Sequence, residues 1–273
     1  MIKLKYLFPI FIFSFLLSFG FAYNLTSVSD ISSGKSNISF VTNHEALLIN
    51  PSFLPQTQFA ISNQCIDTTG IKTKSHALNY MIINGFGFGE MRREELATSK
   101  NIKVGLIGYG SKINKNFSWG ITYQTITIAN SGVDTSSWST LLGMSYLDQK
   151  SNLFFGLTLE HFFKDANATL DDDLPPTIAL GFNFVPWNQV MWSNKLSFIR
   201  KTGEKIQYNS GISIMVNDSI MLNCGASKTG YALGFDFPIS LGKKNLGSLR
   251  YAVEVPYSID DQIVYSFSYT WGK

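Results

Sequence analysis

Downstream of Gln56, apolar and small or polar residues alternate with a period of two over most of the chain. Phe117, Trp119, Ile121 and Tyr123 interleave with Ser118, Gly120, Thr122 and Gln124. Leu153, Phe155, Leu157 and Leu159 interleave with Phe154, Gly156, Thr158 and Glu160, and Ile178, Leu180, Phe182 and Phe184 with Ala179, Gly181, Asn183 and Val185. The same rhythm runs through Ile212, Ile214 and Val216, and through Tyr231, Leu233, Phe235 and Phe237. Successive strand side chains point to opposite faces, so each run predicts a strand with one apolar face and one small or polar face.

The pattern yields about 13 candidate strands between Gln56 and Trp271. They start near Gln56, Ser75, Ile102, Asn116, Ser137, Leu153, Thr177, Lys195, Ile206, Ser219, Thr229, Ser248 and Ile263. Connections in the middle alternate between short and long, as periplasmic turns and outside loops do in an outer-membrane barrel. If residues 164–176 form an outside loop, the last strand ends in the periplasm but the first starts outside. One strand is therefore missing early, within Ser75–Met91 or at Asn37–Val41. Fourteen strands leave about 15 residues per strand and turn, room for the roughly 9–11 that a tilted spanning strand takes.

Alternation fits either a soluble sandwich with its apolar face inside or a barrel with that face in lipid. Three features favour the barrel. The polar-side set is rich in Gly, Ala, Ser and Thr, where a water-facing sheet carries Lys and Glu. Aromatics crowd strand ends at Trp119, Tyr123, Trp138, Tyr146, Trp187, Trp192, Tyr231, Tyr251 and Tyr257, as in interfacial girdles. The chain closes with Tyr265, Phe267, Tyr269 and Trp271 alternating with Ser266, Ser268 and Thr270, the kind of terminal strand that outer-membrane assembly reads.

Composition agrees. Charged residues make up 15% of the 273, well under the roughly 25% of an average soluble domain, while aromatics reach 14%. Lys3 and Lys5 precede an apolar run from Leu7 to Leu17, and Gly20 and Ala22 offer small residues for cleavage, so residues 1–22 read as a signal peptide. The alternative is a single anchor within Tyr6–Ser29. The net charge of +3 comes mostly from scattered lysines, not the basic stripe that nucleic acid needs. Cys65 and Cys224 make no disulfide framework or zinc spacing and read as two strand cysteines, with one bridge as the alternative.

Residues 23–55 are rich in Ser and Asn around one apolar patch, Ala46-Leu47-Leu48-Ile49, and read as a plug or periplasmic segment or, equally, as a leader without fixed structure. Glu160, Asp236, Arg250 and Glu254 fall on polar-side positions. They are candidate lumen charges that either fill the barrel with ion pairs or line a ligand path. His44, His76 and His161 are the neutral-pH bases; Ser or Asp partners exist for any of them, but a triad is recognised by geometry and not by sequence, and the chain reads as not an enzyme. No metal or cofactor site is expected. Asp171-Asp172-Asp173 lacks a calcium-loop register and reads as a solvated loop. Gly108-Tyr109-Gly110-Ser111-Lys112 lacks phosphate-loop spacing. Gly85-Phe86-Gly87-Phe88-Gly89 reads as a strand with lumen-side or kinked glycines that the plug approaches closely.

Glu45-Ala46-Leu47-Leu48-Ile49-Asn50-Pro51-Ser52-Phe53-Leu54 resembles a stretch of the PorV/PorQ and FadL-like outer-membrane proteins, where an apolar helical turn runs into an Asn-Pro-Ala-Gly-Leu type sequence before the first strand. Asn50 and Pro51 match; Ser52 and Phe53 replace Ala and Gly. Cys224-Gly225, Tyr231-Ala232-Leu233-Gly234-Phe235 and Arg250-Tyr251-Ala252-Val253 are similar to the PorV/PorQ pattern near the C-terminus, with Arg250 where that family is often acidic. The resemblance implies a 14-stranded barrel with a short N-terminal plug, in the outer membrane of a diderm bacterium. It makes Asn50, Pro51 and Phe53 the plug-to-barrel junction. It implies either a PorV-like accessory role in protein secretion or surface-protein handling, or FadL-like passage of hydrophobic small molecules, with a purely structural barrel as a third possibility. The organisation expected is therefore a signal peptide (1–22), a plug or periplasmic segment (23–55) and an all-β transmembrane antiparallel barrel (56–273). The partners expected are outer-membrane lipid and secretion-system proteins or a hydrophobic ligand, and no nucleic acid.

Overall fold

The computed structural model describes residues 35–36, 38, 45–68, 74–95, 100–130, 133–148, 150–165, 175–200, 205–217, 220–241, 244–257 and 263–272. The expected signal peptide and the acidic run at 171–173 lie outside the described residues. The strands are β1 (Phe59–Thr68), β2 (Lys74–Ile83), β3 (Phe86–Glu95), β4 (Lys100–Lys112), β5 (Phe117–Asn130), β6 (Val133–Asp148) and β7 (Leu153–Lys164). They continue as β8 (Thr177–Trp187), β9 (Val190–Ile199), β10 (Lys205–Asn217), β11 (Ile220–Ala226), β12 (Gly230–Leu241), β13 (Lys244–Pro256) and β14 (Val264–Gly272). Each pairs antiparallel with its sequence neighbours, and β1 closes the sheet against β14, with Ala60 opposite Gly272 and Thr68 opposite Val264.

A sealed sheet has no edge of unpaired N–H and C=O groups, which is what hydrocarbon demands of a spanning structure. The sandwich is excluded. The strand that the parity argument requires lies in the early segment. Asn84 (φ 48°) and Gly85 (φ 88°) form a two-residue turn joining β2 to β3, with Ile83 opposite Phe86. Positive φ at both central residues is the hairpin turn that Asn-Gly favours.

The connections at one rim, residues 84–85, 113–116, 149–152, 188–189, 218–219 and 242–243, span two to four residues. Those at the opposite rim include 257–263 and 165–176. Short turns mark the periplasmic rim, which also holds the start of β1 and the end of β14.

Around most of the circumference the faces are as the alternation predicts. Ile61, Phe155, Leu180, Leu233, Phe235 and Phe267 are exposed on the outside, while Gln64, Thr122, Gln124, Ser139, Asn183 and Ser268 are buried inside. Trp119, Tyr146, Trp187, Trp192 and Trp271 mark the periplasmic ends of their strands.

The outer halves of β3–β5 depart from this. There the inward positions are apolar: Met91, Ile102, Val104, Leu106, Ile126 and Ile128 belong to or pack on the buried core. The outward positions are polar. In-register pairing carries one outward row through Asn63, Asn79, Glu90, Gly105 and Thr125, and the next through Arg92, Lys103 and Thr127. Glu90 pairs with Arg92 and lies 3.7 Å from Lys103. The expectation that apolar sides face lipid and polar sides face the lumen is therefore reversed here. A charge on the lipid face costs about 2–4 kcal/mol at midplane, so this flank is not bathed in hydrocarbon. Its aromatic boundary is the stacked Tyr123–Trp138 pair (5.9 Å), with Trp138 level with the first polar row, opposite Thr125, and Tyr123 one outward position below it.

β1 and β11 are separated by β14, β13 and β12. Four strand spacings place positions 65 and 224 about 19 Å apart, beyond the roughly 7 Å limit of a disulfide. Cys224 is a free, exposed thiol on the outer wall.

Candidate functional site

A short segment ahead of β1 occupies the periplasmic part of the lumen. Its first element is one helical turn, α1 (Ala46–Ile49), all four residues buried. The turn stops because Pro51 disfavours the helical region for the residue before it; Asn50 is extended, at φ −158° and ψ 100°. Pro51 then opens a 3₁₀ turn, Pro51–Gln56, at a position where a missing N–H costs nothing.

Asn50 ties three pieces together. Its Oδ1 accepts from the Ser52 backbone N–H (3.2 Å) and from Ser52 Oγ (2.7 Å). Its Nδ2 donates to the Ile38 carbonyl (2.8 Å) upstream and to the Met144 carbonyl (3.3 Å) of β6. Phe53 is wholly buried.

The wall makes room for this segment with glycines. A Cβ at Gly87 would strike Leu47, one at Gly120 the Pro51 carbonyl, and one at Gly143 the Asn50 side chain. At Gly108 it would sit 2.6 Å from Leu47 Cδ1 and at Gly110 2.6 Å from the Pro51 oxygen. All five face inward on β3–β6, forming a bed that only glycine leaves open. Thr122 Oγ1 donates to the Leu47 carbonyl at 3.0 Å, fixing the helical turn in it. Of this bed the sequence suggests Gly87, within the run Gly85-Phe86-Gly87-Phe88-Gly89 read as glycines that the plug approaches; Gly89 lies beside it, 3.2 Å from Leu47 Cδ2 for an added Cβ. Gly108, Gly110, Gly120 and Gly143 carried the same inward-parity signal.

The four candidate lumen charges all point inward, but they do not form one cluster. Arg250 and Asp236 face each other across β12 and β13, with Arg250 Nε donating to Asp236 Oδ2 at 2.6 Å. Glu45, which precedes α1 and is fully buried, brings Oε1 to 3.5 Å from Arg250 Nη1. Buried Tyr80 lies nearby and its hydroxyl accepts from Gln64 Nε2 at 3.1 Å. Glu45 had no signal as a charge partner, because only the folded lumen brings it to β13.

Glu254 sits nearer the outer rim and belongs to a second group. It accepts from Lys35 Nζ (2.9 Å) and Thr229 Oγ1 (2.6 Å), while the Lys35 carbonyl accepts from Asn209 Nδ2 at 3.0 Å. Outside the strands at this rim, burial pushes the Tyr257 phenol up to about 12, with Tyr231 packed edge-on at 4.6 Å. Burial, and then the charge of Lys205, pull the Lys228 ammonium down. Lys35 thus lies at the outer rim beside Thr229, and Pro55 at the periplasmic rim beside Gly85.

Glu160 lies apart, on β7, 3.5 Å from His161 Nε2. His161 Nδ1 is 2.9 Å from Ser139 Oγ, so Ser, His and Glu do meet. Ser139 is fully buried and its hydroxyl donates to Gln124 Oε1 at 3.1 Å, leaving no free hydroxyl for the ring to activate. His161 holds φ 59° where β7 bulges against β6, between the Ser139–Lys164 and Leu141–Glu160 pairs. His44 and the His76 side chain lie outside the described residues. Among the described residues no group of three His, Cys, Asp or Glu side chains could hold a metal.

No family model and no curated protein matches the chain by sequence. Solved structures do match by shape. The Ralstonia pickettii toluene transporter TbuX superposes over 94% of this chain and 99% of its own, at 9% identity and TM-score 0.64. The TodX monoaromatic hydrocarbon channel, as a deltaS2S3 mutant, covers 92% and 99% at 12% identity and TM-score 0.67. A Pseudomonas aeruginosa FadL homologue covers 93% and 99% at 11% identity and TM-score 0.56.

The chain has the FadL-type outer-membrane barrel fold. The matched barrels are transporters and channels, not enzymes, in line with the reading of the sequence. The FadL-like side of the expected resemblance is the one that finds structural neighbours. The narrower PorV/PorQ assignment finds none among them.

Proposed function

We propose that this FadL-type barrel carries neutral hydrophobic small molecules across the outer membrane, and that Asn50, Pro51 and Phe53 are the junction on which its plug is held. The observation that carries the reading is the reversed sidedness of β3–β5. Porin lumens are polar because they carry water and hydrophiles. Here Met91, Ile102, Val104, Leu106 and Ile126 form an inward apolar stripe that descends β4 to the glycine bed holding Leu47 and Leu54. Apolar pockets with few polar groups select apolar ligands. The stripe is buried, so a solute reaches it only after the segment bearing Ile38 and Leu47 shifts.

The experiment is uptake of a neutral aromatic by intact diderm cells, comparing cells with and without the barrel. Uptake that rises with the barrel, rises further on removal of residues 23–55 and falls in Val104→Asp supports the reading. Equal uptake in all four cell types overturns it.

A second reading, a PorV-like accessory role in secretion, is favoured by the two polar outward rows that hold Asn63, Asn79 and Glu90, and Arg92 and Lys103. A flank that is charged at mid-strand suits contact with another protein. That reading predicts that secretion proteins co-purify with the barrel and are lost in Glu90→Lys/Arg92→Glu. A barrel that purifies alone argues against it.

A further inference from the structure

The outer wall carries a groove of about 470 Å³, inside the roughly 300–1,000 Å³ span of ligand pockets. It lies across β6–β10, beginning beside the reversed strands and running away from them around the wall. Met144, Phe155, Leu157, Leu180 and Leu196 line it with hydrocarbon, and Asn194 lies among them. Pairing opposite Phe182 and Ser210 places Asn194 on the lipid side of the wall, where aromatic and aliphatic residues are the rule. Asn194 and Ser210 are short beside Phe182, Trp192 and Tyr208, and this lowers the wall there.

An amide on this face is costly unless its donors are met. Asn194 is 9% exposed, and its neighbours satisfy only one end of it. Trp192 Nε1 donates to Ser210 Oγ (3.0 Å), and Ser210 Oγ donates in turn to Asn194 Oδ1 (3.2 Å). The Tyr208 hydroxyl donates to the same Oδ1. Three side chains therefore orient the amide so that its oxygen is saturated, while Nδ2 has no hydrogen-bond partner. A buried donor left open beside a hydrocarbon groove fits an occupant with an apolar chain and one acceptor oxygen.

We propose that this groove is a binding site for a membrane phospholipid, with one acyl chain lying along Leu157, Leu180 and Leu196 and its ester carbonyl accepting from Asn194 Nδ2. The depth fits. Asn194 is four residues from Val190, where β9 leaves the periplasmic turn, or about 13 Å along the strand. Trp192, one outward position below, belongs to the periplasmic girdle. The donor thus lies in the phospholipid leaflet, just inside the level where ester groups sit.

The test compares two phosphatidylethanolamines with identical chains, one ester-linked and one ether-linked, titrated onto the delipidated full barrel in detergent and followed by native mass spectrometry. The ether lipid keeps the chains and headgroup but lacks the carbonyl. The ester form is expected to bind about fivefold more tightly, the worth of one hydrogen bond. Asn194→Leu should erase that preference, and Leu180→Trp, which fills the groove and leaves Asn194 intact, should weaken both lipids. Heat-modifiability gels confirm that each variant is a closed barrel, and Ser210→Ala, which only loosens the amide's orientation, serves if Asn194→Leu does not fold. Equal affinity for the two lipids overturns the proposal, as does an ester preference that survives Asn194→Leu. Displacement of bound lipid by a neutral monoaromatic at low concentration also overturns it, since the groove would then belong to cargo.

Discussion

Glu45, which precedes the plug helix, and Arg250, in the thirteenth strand, meet inside the barrel with Oε1 and Nη1 3.5 Å apart. They join the plug to the wall opposite its glycine bed, and Asp236 completes the pairing at 2.6 Å. Both ends are withdrawn from water: Glu45 is fully buried and Arg250 is 6% exposed. Arg250→Leu removes the guanidinium that two buried carboxylates share, and breaking such a pair costs about 3–5 kcal/mol. The folded band on a heat-modifiability gel should convert at a lower temperature. Adding Glu45→Gln and Asp236→Asn to Arg250→Leu should recover most of the loss, since the penalty comes from stranded charge and not from lost volume. No recovery would show that packing, not charge, sets the cost.

The glycine bed makes a prediction that separates plug from barrel. Gly143→Leu drives a side chain into Asn50 and Pro51, while Gly105→Ala points outward and meets only the movable Thr125 hydroxyl. Gly143→Leu should expose residues 45–56 to added protease in detergent-solubilised barrel without abolishing heat-modifiability. Gly105→Ala should leave both unchanged. Protection equal to wild type in Gly143→Leu would mean that the plug repacks around the leucine.

Cys224 supplies a probe of the lipid face. It is outward on β11, paired opposite Leu233 of β12, and exposed only toward the membrane side. In intact outer membranes a neutral, membrane-permeant maleimide should label it, and a charged, impermeant maleimide should not. Solubilising the barrel in a small detergent should narrow that difference. Labelling by the charged reagent in intact membranes would place Cys224 in water and contradict the outward assignment of β11.

Much of this architecture is legible in the chain because a strand's side chains alternate rigidly. Phe155, Leu180 and Phe235 announce their outward faces, and Asp236, Arg250 and Glu254 their inward ones, without any knowledge of partners. The early hairpin was legible in part. Parity demands one more strand, but Phe86 and Phe88 keep the alternation going across Asn84-Gly85 and hide the turn in a continuous run. The reversal on β3–β5 could not be read from alternation at all. Period two says that two faces differ, and it says nothing about which face meets lipid. Lys103 and Arg92 carried the missing information, since charges in mid-strand argue against hydrocarbon. The Glu45–Arg250 and Lys35–Glu254 pairs join residues about 200 positions apart in sequence, and only closure of the barrel around its own N-terminal segment brings them together.

The reversed flank also fixes how the cost of a lipid-face charge varies around the barrel. Phe235 lies mid-strand on β12, outward and exposed, with Phe237 stacked beside it at 6.3 Å. Thr127 is also outward, on β5, but it lies above the Tyr123–Trp138 boundary and opposite Lys103. An arginine at bilayer midplane costs about 2–4 kcal/mol and near the interface about 0–1. Phe235→Arg should therefore lower the free energy of unfolding in lipid vesicles by an amount in the higher range, and Thr127→Arg by one in the lower. Denaturant titration of the two variants beside wild type measures both. The ordering matters more than either value, because loss of the Phe235–Phe237 contact adds to the first figure and repulsion from Lys103 to the second. Equal, large losses would put Thr127 in hydrocarbon and remove the reason for reading its strand as reversed. The inward stripe of Val104 and Ile126 would then be ordinary filling, with no bearing on what the barrel carries.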